Sequence, residues 1–240
     1  MLKLYKLKNT MESIVSFSFP ELTCKYSLNR KGPRKYGKLN DLLTSGTGIP
    51  STVGLADGTD ALRQDIRLST RFTSFVNFDT EKFDPNTIDE KLKPLDSTIY
   101  WESSTHYSVI EYGQGGFFSE HTDKKQKRNH CATLLIFPPA VDGLAHTGGE
   151  LILDRGRFRF NSSANREWTF VAFHTELPHE CLPVTTGKRV VLKTELYSRG
   201  PIQRAMPEPG PMVCDGSLRY ITRSPSPIMV DGNLPEYDSD

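Results

Sequence analysis

The rhythm of hydrophobic and polar positions changes at about residue 106. Upstream, short apolar stretches are broken by turn-forming residues, and two windows carry a helical period. TDALRQDIRLSTRF (59–72) spaces Leu62, Ile66 and Leu68 at roughly helical intervals, with Thr59 or Asp60 as cap, and predicts a helix. NTIDEKL (86–92) predicts a second, shorter helix. Downstream, HYSVIEYG, CATLLIFPP, GELILD, WTFVAFHT and KRVVLKTELY are β-rich runs separated by Gly, Pro, Asn or Asp. Several are apolar without clean alternation, as expected of strands covered on both faces. The pattern predicts a mainly β chain with N-terminal helices (α+β) packed against a two-sheet jelly roll.

Three regions follow: a support region at 1–99, the jelly-roll core at 100–199, and a tail at 200–240. Residues 201–240 hold seven of the sixteen prolines and end in EYDSD. Such a segment buries little core of its own and reads as a surface tail or a partner-binding segment.

Composition adds mainly exclusions. With 36% hydrophobic and 25% charged residues the chain has a globular balance. A formal net charge of +1 points to no bulk polyanion partner. No apolar run is long enough for a membrane-spanning helix, and the lysine-interrupted MLKLYKLKNTMESIVSFSF is no secretory signal. Cys24, Cys131, Cys181 and Cys214 are far apart, so reduced thiols in a cytoplasmic setting are expected, and the same thiols do not exclude a nuclear one.

The chemistry concentrates in Tyr112-Gly-Gln-Gly-Gly-Phe-Phe-Ser-Glu-His121-Thr-Asp123. On a strand, positions i and i+2 face the same side, so His121 and Asp123 can share one metal. His179, in ELPHECLPV, supplies a third ligand. Two imidazoles and one carboxylate on one face of an octahedron leave open positions, the arrangement of non-haem Fe(II) oxygenases. Arg189 follows ten residues after His179 inside an apolar run. A guanidinium there can clamp a distal carboxylate bidentately. His106, His130, His146 and His174 read as ordinary structural histidines.

With these residues the sequence resembles the prolyl 4-hydroxylase-like Fe(II)/2-oxoglutarate dioxygenases. The shared pattern is Tyr112-Gly-x-Gly-Gly, His121-x-Asp123, Gly148-Gly149-Glu150, and His179 through Pro183, Val184, Gly187 and Arg189. The resemblance implies a double-stranded β-helix (cupin-like) and oxidative hydroxylation of a C–H bond, with 2-oxoglutarate and O₂ consumed and succinate and CO₂ released. It also implies Fe(II) on His121, Asp123 and His179, Arg189 on the 2-oxoglutarate C5 carboxylate, and ascorbate as a helper reductant. Tyr112 and Thr133 would contact the co-substrate; no further catalytic residue is implied.

A protein or peptide substrate is the reading, with a small molecule as the alternative. Two departures bear on it: Leu151 follows Gly-Gly-Glu where many relatives carry Thr, and Glu195 stands six residues after Arg189 where collagen-type enzymes carry Trp. Glu195 also argues against the nucleic-acid-directed enzymes, which place a second arginine there. The basic runs RKGPRKYGK (30–38) and KKQKRNH (124–130) keep an anionic partner in view. A non-catalytic jelly-roll module is the remaining reading.

Overall fold

The computed structural model describes residues 13–19, 22, 24–27, 36–37, 47–55, 59–79, 84–102, 104–125, 129–140 and 143–199. The tail at 200–240, most of the basic run at 30–38 and residues 126–128 of the second run lie outside the described residues.

The described strands begin with β1 (Ile14–Phe19), β2 (Cys24–Ser27), β3 (Tyr36–Gly37), β4 (Ile49–Pro50), β5 (Val53–Gly54), β6 (Asp60–Ala61), β7 (Arg67–Leu68) and β8 (Thr70–Phe78). After helix α1 (Asn86–Leu92) come β9 (Ile99–Tyr100), β10 (Ser104–Tyr112), β11 (Phe117–His121), β12 (His130–Phe137) and β13 (His146–Gly148). The chain continues with β14 (Leu151–Leu153), β15 (Phe158–Phe160), β16 (Trp168–His174), β17 (His179–Cys181), β18 (Val184–Gly187) and β19 (Arg189–Ser198). A large antiparallel sheet runs β1-β16-β12-β19-β10-β8-β2-β3, and a smaller one runs β15-β14-β17-β11-β7. This is the expected jelly-roll core. The large sheet crosses the 99/100 position, because β8 pairs with β10 from Ser104↔Asn77 to Glu111↔Thr70.

Strand alternation explains why the central runs are apolar throughout. In β12, Ala132, Leu134 and Ile136 enter one core cluster while Leu135 and Phe137 enter a second. In β16, Phe170 and Ala172 divide from Val171 and Phe173 in the same way. Successive side chains leave a strand on opposite faces, so a strand covered on both sides loses its polar positions. The first cluster, on the outer face of the large sheet, includes Ile88 and Leu92 of α1 together with Phe78, Trp101 and Trp168. The second fills the space toward the small sheet and ends at the cleft described below.

α1 forms where expected. Asp84 accepts the Asn86 backbone N–H at 3.0 Å, and Pro85 sits at the N-cap with a helical φ of −55°. Ile88 and Leu92, one turn apart, are both fully buried, and Asp89 accepts the Trp101 backbone N–H at 2.7 Å.

The helix expected over 59–72 does not form. Only one turn closes, with Ile66 and Arg67 N–H groups reaching the Arg63 carbonyl at 3.0 and 2.9 Å. Leu62 and Leu68, two of the three positions in the supposed apolar stripe, are 51% and 40% exposed, so a helix here had no face to bury. Sheet pairing wins instead: Leu68 pairs with Phe117, and Arg71 of the β-branched and aromatic run that follows pairs with Ile110. The N-terminal contribution to the fold is therefore strands and one short helix among the described residues.

Because α1 is anchored through two side chains, Leu92→Ala should destabilise the chain by about 2–5 kcal/mol. Urea denaturation followed by tryptophan fluorescence checks this; a loss well under 1 kcal/mol would mean the helix is not part of the core.

Candidate metal centre and co-substrate cleft

Cross-strand pairing brings the two imidazoles together. His121 closes β11 and His179 opens β17, and they stand directly opposite each other, ring centroids 4.1 Å apart. The register shifts between Phe118 and His121, a bulge that re-aims the end of β11. Each ring donates Nδ1–H to a backbone carbonyl, His121 to Ser119 at 2.8 Å and His179 to Leu177 at 2.9 Å. A carbonyl can only accept, so both rings keep Nε2 unprotonated and available as a ligand atom.

Asp123 does not share the strand with His121, as the sequence pattern suggested. It lies past the end of β11, with its backbone N–H held by the Thr175 carbonyl at 3.0 Å. Its carboxylate is fixed from the large sheet: Thr133 Oγ1 donates to Oδ2 at 2.5 Å and Lys193 Nζ donates to Oδ1 at 2.5 Å. His179 Nε2 lies 3.7 Å from Oδ2. One ligand atom from each of His121, Asp123 and His179 falls within 4.8 Å of the others. Among the described residues no other group of His, Cys, Asp and Glu is close enough to hold an ion, and His106, His130, His146 and His174 stay outside the cluster.

The electrostatics suit a cation. Burial, then the neighbouring His179, pull the His121 pKa down to about 3, and burial lowers that of His179 as well. Both rings are thus neutral at pH 7, the form that binds metal. Burial pushes the Asp123 carboxyl up, but the Lys193 charge and then His179 outweigh it and hold the group ionised.

The floor of the same cleft is Arg189, 2% exposed, with Tyr112 and Phe137 rings 5.1 and 5.0 Å from its guanidinium carbon. Its Nε finds no hydrogen-bond partner. A buried, undersatisfied guanidinium is costly, and a carboxylate is the group that matches its fork. Space for it is made by Gly149, at φ +70°, where a Cβ would lie 2.8 Å from Arg189 Cδ. Arg189 opens β19 rather than the strand next after His179, since β18 intervenes.

Tyr112 is buried, and burial raises its phenol pKa. It lines the cleft, and so does Thr133, whose hydroxyl donates to Asp123. Leu151 forms part of the apolar wall, whereas Glu195 is not among the lining residues.

Arg67, Phe118 and Lys193 are among the lining residues that the sequence alone did not single out. Lys193 was accessible, because Arg189, Val191 and Lys193 alternate along β19 and so share its inward face. Arg67 was hidden by the helix expected around it.

Residues 107–194, which contain every one of these motifs, match the family model described as the 2OG-Fe(II) oxygenase superfamily. Over that stretch the chain is similar to the 2OG-Fe(II) oxygenases, and the match supports an enzyme of the oxidoreductase class with Fe(II), 2-oxoglutarate and O₂ as its implied reactants. A prolyl-4-hydroxylase of Pseudomonas putida is similar in structure at 16% identity, covering 67% of this chain and 82% of its own, with a TM-score of 0.42. A prolyl hydroxylase of Trichoplax adhaerens, in complex with a hypoxia inducible factor peptide fragment, is similar at 19% identity, 66% and 74% coverage, and a TM-score of 0.45. An oxidoreductase of the 2OG-Fe(II) oxygenase family from Burkholderia pseudomallei gives 17%, 67% and 77%, and 0.40. No curated protein matches the sequence. No helix among the described residues is long and apolar enough to cross a membrane.

The donor set fits Fe(II), and the undersatisfied Arg189 fits the distal end of a dicarboxylate. Protonation of the buried triad sets an expected outcome for the metal-free dioxygenase. His121 titrates at about 3 in the fold against an ordinary 6.5 when unfolded, so the unfolded chain takes up the proton first. Stability is then complete above about pH 6.5 and falls as the pH drops toward 3. Urea midpoints measured in a chelator should decline across that range; a flat profile would contradict a buried neutral imidazole.

Proposed function

We propose that the protein is an Fe(II)/2-oxoglutarate-dependent hydroxylase acting on a C–H bond of a protein or peptide. In this reading His121, Asp123 and His179 hold the iron and Arg189 pairs with the C5 carboxylate of 2-oxoglutarate. The observation that carries it is the buried Arg189 Nε without a partner, at the floor of the cleft that also holds the three ligand atoms. Iron, 2-oxoglutarate and O₂ together supply the oxidising power, with succinate and CO₂ as by-products.

The chain's own residues do the rest. The two Nδ1–H···O=C bonds keep both imidazoles turned with Nε2 inward. Thr133 and Lys193 hold the carboxylate by both oxygens, so Asp123 is positioned before an ion arrives. The walls, Ile110, Leu135, Leu151 and Val191, exclude water from the reacting centre. The cleft opens to solvent beside the ligand atoms, so a single side chain can enter with the peptide main chain outside. A compact small molecule of side-chain size is the second reading, since it would enter by the same opening.

Purified protein with Fe(II), ascorbate and 2-oxoglutarate is expected to release succinate, and His179→Ala to abolish that release. Turnover unchanged in the variant would sink the ligand assignment. Arg189→Ala is expected to raise the apparent KM for 2-oxoglutarate by at least about tenfold, equivalent to ~1.4 kcal/mol, with metal affinity little altered. Equal losses of both, read by calorimetric titration with Mn(II), would argue against the clamp.

A further inference from the structure

We propose that Arg67 is the substrate-recognising residue of this cleft, and that it binds a carboxylate carried by the substrate. The inference rests on the iron and 2-oxoglutarate reading above and names the class of molecule that the reading leaves open.

Arg67 reaches the site from β7, the edge strand paired with the metal-bearing β11. Its guanidinium carbon lies 4.5 Å from the Phe118 ring centroid, and Phe118 stacks on His121 at 3.5 Å with a 22° tilt. The charge therefore stands one aromatic layer away from a ligand imidazole. Its hydrogen bonds go to neutral acceptors, Nε to Ser69 Oγ at 3.0 Å and Nη1 to the Thr52 carbonyl at 3.2 Å. These two contacts orient the fork without neutralising it. Among the described residues no carboxylate pairs with Arg67, whereas Lys125, Lys188 and Lys193 each meet one.

Charge matching then points to the substrate. 2-Oxoglutarate brings two carboxylates: the keto-acid end belongs with the metal and the other with Arg189. Lys193 is already engaged by Asp123. Glu180 is the remaining lining carboxylate, but along β17 it alternates with the buried His179 and Cys181 and so leaves on the opposite face. Lys124 donates to the Leu55 carbonyl, so the segment whose Thr52 carbonyl accepts from Arg67 is held by a second cation.

Different aromatic rings back the two arginines. Arg189 lies against Tyr112 and Phe137, while Arg67 lies over Phe118. Two guanidinium groups backed by different rings of one cleft make two anion subsites. The inner takes the co-substrate, and the outer is left for an acid on the molecule being oxidised. A carboxylate there gains a charge-assisted, bidentate partner backed by an aromatic face.

The acid can be an Asp or Glu side chain of a peptide or the carboxylate of a free amino acid, and the test separates these sources. Two peptide pools would be compared, identical except that Asp and Glu in one are Asn and Gln in the other, beside free aspartate and glutamate against asparagine and glutamine. Substrate-stimulated succinate release and a one-oxygen mass gain are read for each. The carboxylate-bearing members of one arm are expected to stimulate turnover at least about tenfold more than their amides, ~1.4 kcal/mol of discrimination. Arg67→Gln should erase that preference through KM for the substrate, and Arg67→Lys should restore part of it.

Equal stimulation by acids and amides overturns the proposal, as does a preference that survives in Arg67→Gln. So does a rise in KM for 2-oxoglutarate with the preference intact, which would place Arg67 on the co-substrate. Failure of every carboxylate-bearing probe to stimulate the wild-type enzyme also overturns it. The charge-transfer absorbance formed by Fe(II) and 2-oxoglutarate under anaerobic conditions is read in parallel without substrate. Its absence in the wild-type protein would overturn the iron and co-substrate reading itself, a failure distinct from that of Arg67.

Discussion

A buried positive charge with an unused donor governs how this molecule is put together. Arg189 sits at the first position of β19, nearly sealed from water, between the rings of Tyr112 and Phe137. Ionised groups in such surroundings are stable only with a partner or a strong reason to wait for one. Much of the local architecture exists to keep the guanidinium in place. Gly149 leaves room for its methylenes, Val184 packs beside them, and Gly115 ties its backbone N–H to the Val184 carbonyl. The glycine-rich turn after β10, the Gly-Gly corner after β13 and the start of β18 thus converge on one side chain, although they are distant in sequence.

The same economy appears in the sheets. Each central strand presents one row of side chains to α1 and the aromatic cluster around Phe78 and Trp101, and the opposite row to the cleft. On the inward row, apolar positions give way to polar ones: Tyr112 at the end of β10, Arg189 at the start of β19, and Thr133 and Lys193 within β12 and β19. Functional residues therefore stand on ladders whose register is fixed by burial on the other face.

Periodicity and motif spacing made much of this legible. The five core strands, α1 and the meeting of His121, Asp123, His179 and Arg189 in one cleft all follow from local patterns that tertiary packing reinforces. The failures have a common physical origin. The segment at 59–72 carries a helical spacing, but its fate depends on a neighbour, β11, that offers hydrogen bonds its own turn cannot match. Asp123 was placed on a strand because His-x-Asp fits period two, while its backbone in fact answers to Thr175 in a distant loop. The Thr133 hydrogen bond to Asp123 was not legible either, since a sequence does not say which acceptor a hydroxyl meets. Lys193 was within reach of strand alternation and Arg67 was not.

The origin of the three proposed ligands also bears on the mechanics of the barrel. His121 and His179 belong to the small sheet, while Asp123 is gripped by Thr133 and Lys193 of the large one. An ion that binds all three bridges the seam between the sheets, much as a rivet joins two plates. Its retention then depends on how far those plates breathe apart, so substitutions remote from the ligands can change the residence time of the metal without altering a single donor atom.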